Sequence, residues 1–279
     1  MEFKNFTQAR KITKISYLGK VDVSAKIMKN LKVFNQSTYS LYLAPAKLSG
    51  YNTCSHSTPE CRMGCLNTSG RAGMEVLAGK TMTADCRNRR TKLFYENNEF
   101  FMQWLIAEIT SAYDKAKSLK RGFSIRLNCT SDIDWANVYY KGKNIFEMFP
   151  TVDFYDYTKN PAKFINKPEN YHLTFSYTGR NWNLCEMVLQ GGGNVAMVFN
   201  LPKTKNNPLP TKYKGYDVID GDISDYRIAD KKGVIVGLYW KVIGNAKANE
   251  TVKNSCFCIQ PKDFERDCEV KVTENIEAI

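Results

Sequence analysis

Three cysteines, Cys54, Cys61 and Cys65, fall in the run CSHSTPECRMGC with the spacing C-x6-C-x3-C. Thiolates are soft ligands suited to iron–sulfur clusters and zinc. Three of them suit a 4Fe–4S cluster that keeps one iron open for a substrate or cofactor, as catalytic zinc keeps a fourth position open. Zinc itself is the alternative, with His56, Cys86, Cys256, Cys258 or Cys268 as a fourth ligand. Unliganded thiols are a third reading. The run LNTSGRAG follows at once. Gly64, Gly70 and Gly73 would let the backbone approach a cluster or a bound anion. Asn67, Gly70, Arg71 and Gly73 are candidate cofactor contacts.

Histidine is scarce, with only His56 and His172, so acid–base work would fall on carboxylates, Tyr or Lys. Asp132 and Asp134 are two apart, as are Asp220 and Asp222, a spacing that puts each pair on one face of an extended strand. The candidate reacting residues are Asp132, Asp134, Asp156, Lys159, Asp222, Asp225, Arg227 and Lys241. Asn128 and Ser131 join them as cofactor contacts. Any one of these could be ordinary turn chemistry. The run CRNRRTK (Cys86–Lys92) carries four positive charges. It reads as a phosphate grip, for which Arg is suited, or as a solvated helix face. Cys129 and Cys185 read as small hydrophobes inside packed elements.

These residues need strands that deliver them to one place. SLYLAPA (Ser40–Ala46) reads as a strand stopped by Pro45. Residues 83–120 contain no Gly or Pro and repeat apolar residues at helical spacing, which predicts one long helix or two end to end. Strands and short helices then alternate. FSIRLN, VDFYDYT, YHLTFSY, NVAMVFN, YDVID and GVIVGLYW are the strands; NIFEMF, PAKFINK and NWNLCEMVLQ are the helices. Such alternation argues for parallel strands with crossover helices. The expected fold is α/β, a full or partial (β/α) barrel with the cysteine-rich loop after its first strand. In such barrels the loops at the C-terminal ends of the strands carry the site. The expected organisation is an N-terminal extension over 1–38, the barrel over 39–245 and a cysteine-containing extension over 246–279.

Forty Lys and Arg face twenty-eight Asp and Glu, a formal charge of +12. That favours a polyanionic partner, nucleic acid or a nucleotide. No apolar run approaches the length of a membrane span, and MEFKNFTQARKITK lacks the apolar core of a secretory signal. The expectation is a cytoplasmic protein with no membrane partner.

The stretches TCSHSTPECRMGCLNTSGRAG, IRLNCTSDIDW, FPTVDFYDYTKNP and VIDGDISDYRIADKKGVIVGLYWK resemble the phage gene product 88 family, and span roughly 39 to 241. More distantly, the chain resembles radical-SAM-like barrels, in which three cysteines after the first strand hold a 4Fe–4S cluster. The resemblance implies a phage-encoded iron–sulfur enzyme in the host cytoplasm, and S-adenosylmethionine as a second cofactor. Radical SAM enzymes typically read C-x3-C-x2-C, and carry a Gly-Gly-Glu type motif after the second strand, where this chain reads NCTSDIDW. The alternative function is a zinc-stabilised nucleic-acid-binding protein without catalysis.

Overall fold

The first strand, β1 (Gln36–Ser40), reads QSTYS and is buried throughout. Its side chains alternate between faces. Tyr39 packs outward against Phe123, ring centroids 5.7 Å apart. Thr38 points the other way, to Ser124 Oγ at 2.9 Å and to Asn30 Nδ2 at 3.0 Å. The strand lies upstream of the apolar run expected to form it, because its inward Thr38 hydroxyl is satisfied by neighbours and need not be apolar. The boundary expected after residue 38 falls inside it.

The computed structural model describes residues 8, 11–12, 18–19, 25–242 and 246–264. In chain order, α1 (Ala25–Phe34) precedes β1, and α2 (Pro59–Met63) and α3 (Gly70–Leu77) carry the cysteine loop. The predicted long helix is two, α4 (Met82–Glu96) and α5 (Asn98–Ser118). Asn97 separates them: its backbone closes α4, and its side chain accepts from Phe100 N to start α5, an Asn N-cap. Next come β2 (Gly122–Arg126), the small hairpin of β3 (Tyr139–Tyr140) and β4 (Lys143–Asn144), and α6 (Ile145–Met148), started by an Asn144–Glu147 capping box. The strands β5 (Asp153–Thr158), β6 (Tyr171–Ser176), β7 (Asn194–Phe199), β8 (Lys212–Tyr213), β9 (Tyr216–Asp220) and β10 (Ile235–Tyr239) follow, with α7 (Trp182–Gln190) between β6 and β7. α8 (Ala246–Lys253) and β11 (Cys258–Ile259) complete the described chain.

Among the described residues the fold is mixed α/β around a mostly parallel nine-stranded sheet, ordered β1-β2-β5-β6-β7-β10-β9-β8. β8 is antiparallel to β9. β11 pairs with Val198 and Phe199 of β7, just beyond the stretch of β7 that pairs with β6. The two ends of the order, β1 and β8, do not pair, so no closed barrel forms among the described residues. The outer face of β1, β2, β5 and β6 packs on α5 through Phe101, Trp104, Leu105 and Ile109, all fully buried. A second cluster, with Phe175, Val195, Met197, Phe199 and Ile235, packs on α7 through Leu189 and the buried Cys185. Each large side chain buried this way contributes about 1.5–3 kcal/mol.

The inner face is polar and the sheet is rolled around it. Ser124 and Arg126 alternate with the outward Phe123 and Ile125, and Tyr155 and Tyr157 with the outward Phe154. The loop after β9 crosses this face: Tyr226 meets Tyr155 edge-on at 6.0 Å and Phe34 of α1 at 5.5 Å. A flat sheet would hold β2 and β9 about 24 Å apart, five spacings of about 4.8 Å. No helix among the described residues is long and apolar enough to cross a membrane.

Candidate metal centre and polar rim

Parallel pairing brings the C-terminal ends of β1, β2, β5, β6, β7, β10 and β9 to one edge of the sheet. The cysteine loop lies at that edge. Ala46 N donates to Cys54 Sγ at 3.4 Å, and Thr130, after β2, places its carbonyl 3.9 Å from the same sulfur. Cys61 lies in α2, which Thr58 caps by accepting from Cys61 N at 3.2 Å. Cys65 receives a hydrogen bond from Asn67 N–H. Gly73 belongs to this fold of the loop, since a Cβ there would sit 2.3 Å from the Thr68 carbonyl oxygen.

The three thiols act on one another. The Cys65 thiol is pushed up to about 11, chiefly by burial and with Cys61 and Cys54 adding to the rise, against the pull of the Asn67 N–H. Burial also raises Cys54, helped by Asp132 and Cys61. Among the described residues, however, no group of three or more His, Cys, Asp or Glu side chains is arranged to hold a metal ion. His56 is exposed and bonded to Ser55 Oγ at 2.9 Å. Cys256 is exposed, Cys258 is buried in β11, and Cys268 lies outside the described residues.

Two cations lie near the cysteine loop. Lys159, just after β5, anchors its backbone N–H on Asp132 at 2.9 Å. Burial pulls its ammonium pKa down, but Cys61, Asp132 and Cys54 outweigh burial and leave it above the ordinary value. Arg87, on α4, donates to the Asn67 carbonyl at 2.9 Å and to its side-chain oxygen, and its guanidinium stands 5.2 Å over the Tyr42 ring. Burial lowers Arg87, while Tyr42, Cys65 and Cys129 oppose the shift. The charge run on α4 is therefore only partly a solvated face. Arg90 is also buried and donates to the Tyr42 carbonyl at 3.0 Å.

Asp132 ties the loops together. Its carboxylate accepts from Lys163 Nζ at 2.5 Å, Thr158 Oγ1 at 2.8 Å and Lys159 N at 2.9 Å. Its own N–H donates to the Thr53 carbonyl at 2.8 Å, next to Cys54. Lys163, 1% exposed in its side chain, was not singled out in the sequence. Asp134 makes a local turn contact, accepting from Asn137 Nδ2 at 2.8 Å.

The other candidates fall into separate groups. Asp156 points to the outer face, where it accepts from Asn128 N at 2.8 Å and Tyr171 OH at 3.0 Å. Burial raises its carboxyl to about 6, against the pull of Arg126. Asn128 Oδ1 accepts from Ser131 Oγ, Ile133 N and Trp135 Nε1 at 2.9, 2.9 and 3.2 Å. Both candidate cofactor contacts after β2 thus bond within the fold. On the inner face, Asp225 pairs with Arg126 at 2.6 Å, and Asp222 with Lys241 at 2.8 Å. Arg227 pairs with Asp230 at 3.2 Å and donates to the Ser224 carbonyl at 2.6 Å. Arg126 stands over the rings of Tyr157 and Tyr155 at 5.1 and 5.7 Å. Tyr42 joins the two regions, since Cys129, Arg126, Asp225 and Arg87 all act on its hydroxyl. Gly70 and Arg71 lie in the first turn of α3. A cavity of ≈ 330 Å³ opens beside β11, lined in part by Tyr177, Tyr213, Cys256, Gln260 and Lys262, with no triad cysteine in its wall.

A family model described as Gene product 88 matches residues 4–260. The chain belongs to the Gene product 88 family. The match covers the cysteine triad, the rim and the inner face of this Gene product 88 chain alike. No curated protein matches it, and no solved structure does.

Proposed function

We propose that this chain is an iron–sulfur enzyme of the radical-SAM-like kind, built on a partial barrel, and that Cys54, Cys61 and Cys65 hold its 4Fe–4S cluster. The observation that carries the reading is the place of the three-cysteine loop at the C-terminal edge of a parallel sheet, where Cys54 Sγ meets Ala46 N at 3.4 Å and the Thr130 carbonyl, after β2, at 3.9 Å. Thiolates on a single zinc lie about 4 Å apart, given bonds of about 2.3 Å, and the triad is not drawn into such a group. A multi-iron cluster places each cysteine on a different iron and accepts a wider spread. The cluster, when bound, supplies one-electron chemistry and an iron without a protein ligand.

The chain's own residues do the rest. The N–H groups of Ala46 and Asn67 donate to the sulfurs of Cys54 and Cys65, which favours the anionic form. Asp132 holds the loops after β1, β2 and β5 in one arrangement, so the triad and Lys159 keep their relation. The substrate class is a nucleotide or nucleic acid, supported by the +12 charge of the chain. S-adenosylmethionine is left out of this proposal, because Asn128 and Ser131 bond to Asp156, Trp135 and each other.

Anaerobic reconstitution with ferrous iron and sulfide tests the reading. The expected product is brown, carries iron and acid-labile sulfide at 4Fe–4S stoichiometry, and gives an iron–sulfur EPR signal on reduction. Cys61→Ser should lose the cluster while melting near the wild-type temperature. Tightly bound zinc in place of iron would replace the enzyme with a zinc-stabilised nucleic-acid-binding protein.

A further inference from the structure

Two segments wall the cavity beside β11. The loop after β6 brings Tyr177, which is half-buried, and residues 254–263 bring Cys256, Gln260, Lys262 and Asp263. The segments are locked together. Gly179, at φ +94°, packs on Cys256, and a Cβ there would meet the Cys256 carbonyl carbon and oxygen at 2.6 Å. The Gln260 amide fixes the second segment: it accepts from Asn200 Nδ2 at 2.7 Å and donates to the carbonyls of Lys253 and Cys258 at 2.9 Å each. Tyr213, 7% exposed, stands edge-on to Trp182 and Phe199 at 6.2 Å each. The walls are thus held before any ligand arrives, which lowers the cost of binding. The volume, ≈ 330 Å³, falls in the range of small-molecule pockets, about 300–1,000 Å³.

What the walls leave unused is chemically specific. The half-buried Tyr177 ring offers a stacking surface, and every base has a face that stacks on one. Asp263 spends Oδ2 on Gln260 N at 3.2 Å. A carboxylate has about four acceptor sites, and among the described residues no other group bonds this one. An acceptor-only group calls for donors. Guanine presents two adjacent N–H donors on its Watson–Crick edge, whereas adenine, cytosine and uracil each set an acceptor beside theirs. The same carboxylate repels phosphate, which leaves the anion at the mouth. There the exposed Lys262 ammonium has no partner among the described residues.

We propose that this cavity binds a guanine nucleotide: the base stacks on Tyr177 and gives its donor edge to Asp263, and the phosphate meets Lys262. The inference deepens the nucleotide part of the reading above and uses no part of the cluster. The place suits that reading, since Arg180, next to Gly179, reaches Glu60 of α2 at 3.5 Å, one residue before Cys61.

The test is calorimetric titration of the full-length chain, without added iron, with GMP, AMP, CMP and UMP. GMP should bind about tenfold tighter than AMP. Tyr177→Ala should weaken GMP about tenfold. Asp263→Asn keeps an acceptor for Gln260 N and sets an amide against the donors of the base. It should melt as the wild type does and lose the preference for GMP over AMP. Lys262→Gln should weaken GMP and leave guanosine unmoved, and Lys117→Gln, exposed on α5, should change neither. Should Tyr177→Ala melt early, Asp263→Asn decides alone. A single-stranded oligonucleotide with one guanine separates the sources. Binding tighter than that of GMP places the guanine in a strand, and binding no tighter makes the ligand a free nucleotide; both support the site. Equal binding of GMP and AMP by the wild type, or a GMP preference kept in Asp263→Asn, overturns this inference alone and leaves the nucleotide class standing. No binding of any nucleotide overturns it together with that class, while iron and sulfide content still judges the cluster.

Discussion

Arg126 and Asp225 are 99 residues apart in the chain and 2.6 Å apart in space. Four strands, β5, β6, β7 and β10, lie between β2, which carries Arg126, and β9, which ends five residues before Asp225. The pair therefore measures how far the sheet is rolled. Burial works against the Arg126 charge, but Asp225, Cys129 and the two tyrosines hold its pKa well above the ordinary value. Asp225→Asn keeps the shape and leaves the buried guanidinium without its counter-charge. The expected loss is about 3–5 kcal/mol, on the order of 10 °C in melting temperature, read by thermal unfolding.

Arg227 and Lys241 were both candidates for the reacting site, and their burial separates them. The Arg227 side chain is 3% exposed and paired with Asp230, while that of Lys241 is 36% exposed. Arg227→Ala is expected to lower the melting temperature on the order of 10 °C. Lys241→Ala breaks a pair whose lysine is solvent-screened, worth about 1 kcal/mol or less. A near-native melting curve for Arg227→Ala, with nucleotide binding lost, would assign Arg227 to ligand binding.

Asp132→Ala removes the partner of Lys163 and the acceptor of Thr158 and Lys159 N together. A stability loss of about 3–5 kcal/mol is expected from the stranded lysine. Lys163→Met in the same chain should recover part of it, because no buried charge is then left alone. Urea unfolding of the single and double variants gives the comparison.

Asp156 gives a pH signature. Burial raises its carboxyl in the folded chain to about 6, from an ordinary value of 3.8. Its folded pKa is above its unfolded one, so the folded state binds this proton more tightly. The resulting stability is fully present below about pH 4 and is lost as pH rises through about 6, in total roughly 3 kcal/mol. Asp156→Asn should flatten the dependence of melting temperature on pH across that window. A wild-type and a variant profile of equal slope would show Asp156 to be ionised in the folded chain throughout.

Gly73→Ala places a Cβ against the Thr68 carbonyl oxygen. Backbone cannot move aside as a side chain can, so the loop must shift, at about 1–3 kcal/mol. A lower melting temperature with reduced iron loading is expected, since Asn67 and Cys65 share that loop.

Much of the architecture could be read from strand and helix periodicity. Alternation announced the parallel strands, and the Asn144–Glu147 capping box that starts α6 stood in the sequence unread. What escaped has identifiable causes. β1 was placed too late because QSTYS is polar, and it is buried among hydroxyl and amide partners. The break at Asn97 was left open because an Asn can cap a helix without any Gly or Pro to mark the place. Arg87 and Arg90 were legible: with Thr91 and Phe94 they lie at the i, i+3, i+4, i+7 positions of one stripe, and that stripe is the inward one. Arg126, two after Ser124 on the inner face, was legible by the same kind of alternation. The hold of Thr158, Lys159 N and Lys163 on Asp132 was not, because it depends on how the loops after two neighbouring strands fall together.

The place of β10 between β7 and β9 carries a consequence for synthesis. β7 and the β8–β9 hairpin leave the ribosome before β10 does, yet the hairpin reaches the sheet only through β10. Until residues 235–239 emerge, one edge of β7 is bare and the hairpin has no neighbour to join. The other edge of β7 is completed later still, by residues 258–259. Order of translation and order of assembly thus part company in this half of the molecule. A nascent chain stalled near residue 230 would present an open, apolar strand edge, the kind of surface that invites pairing with another chain.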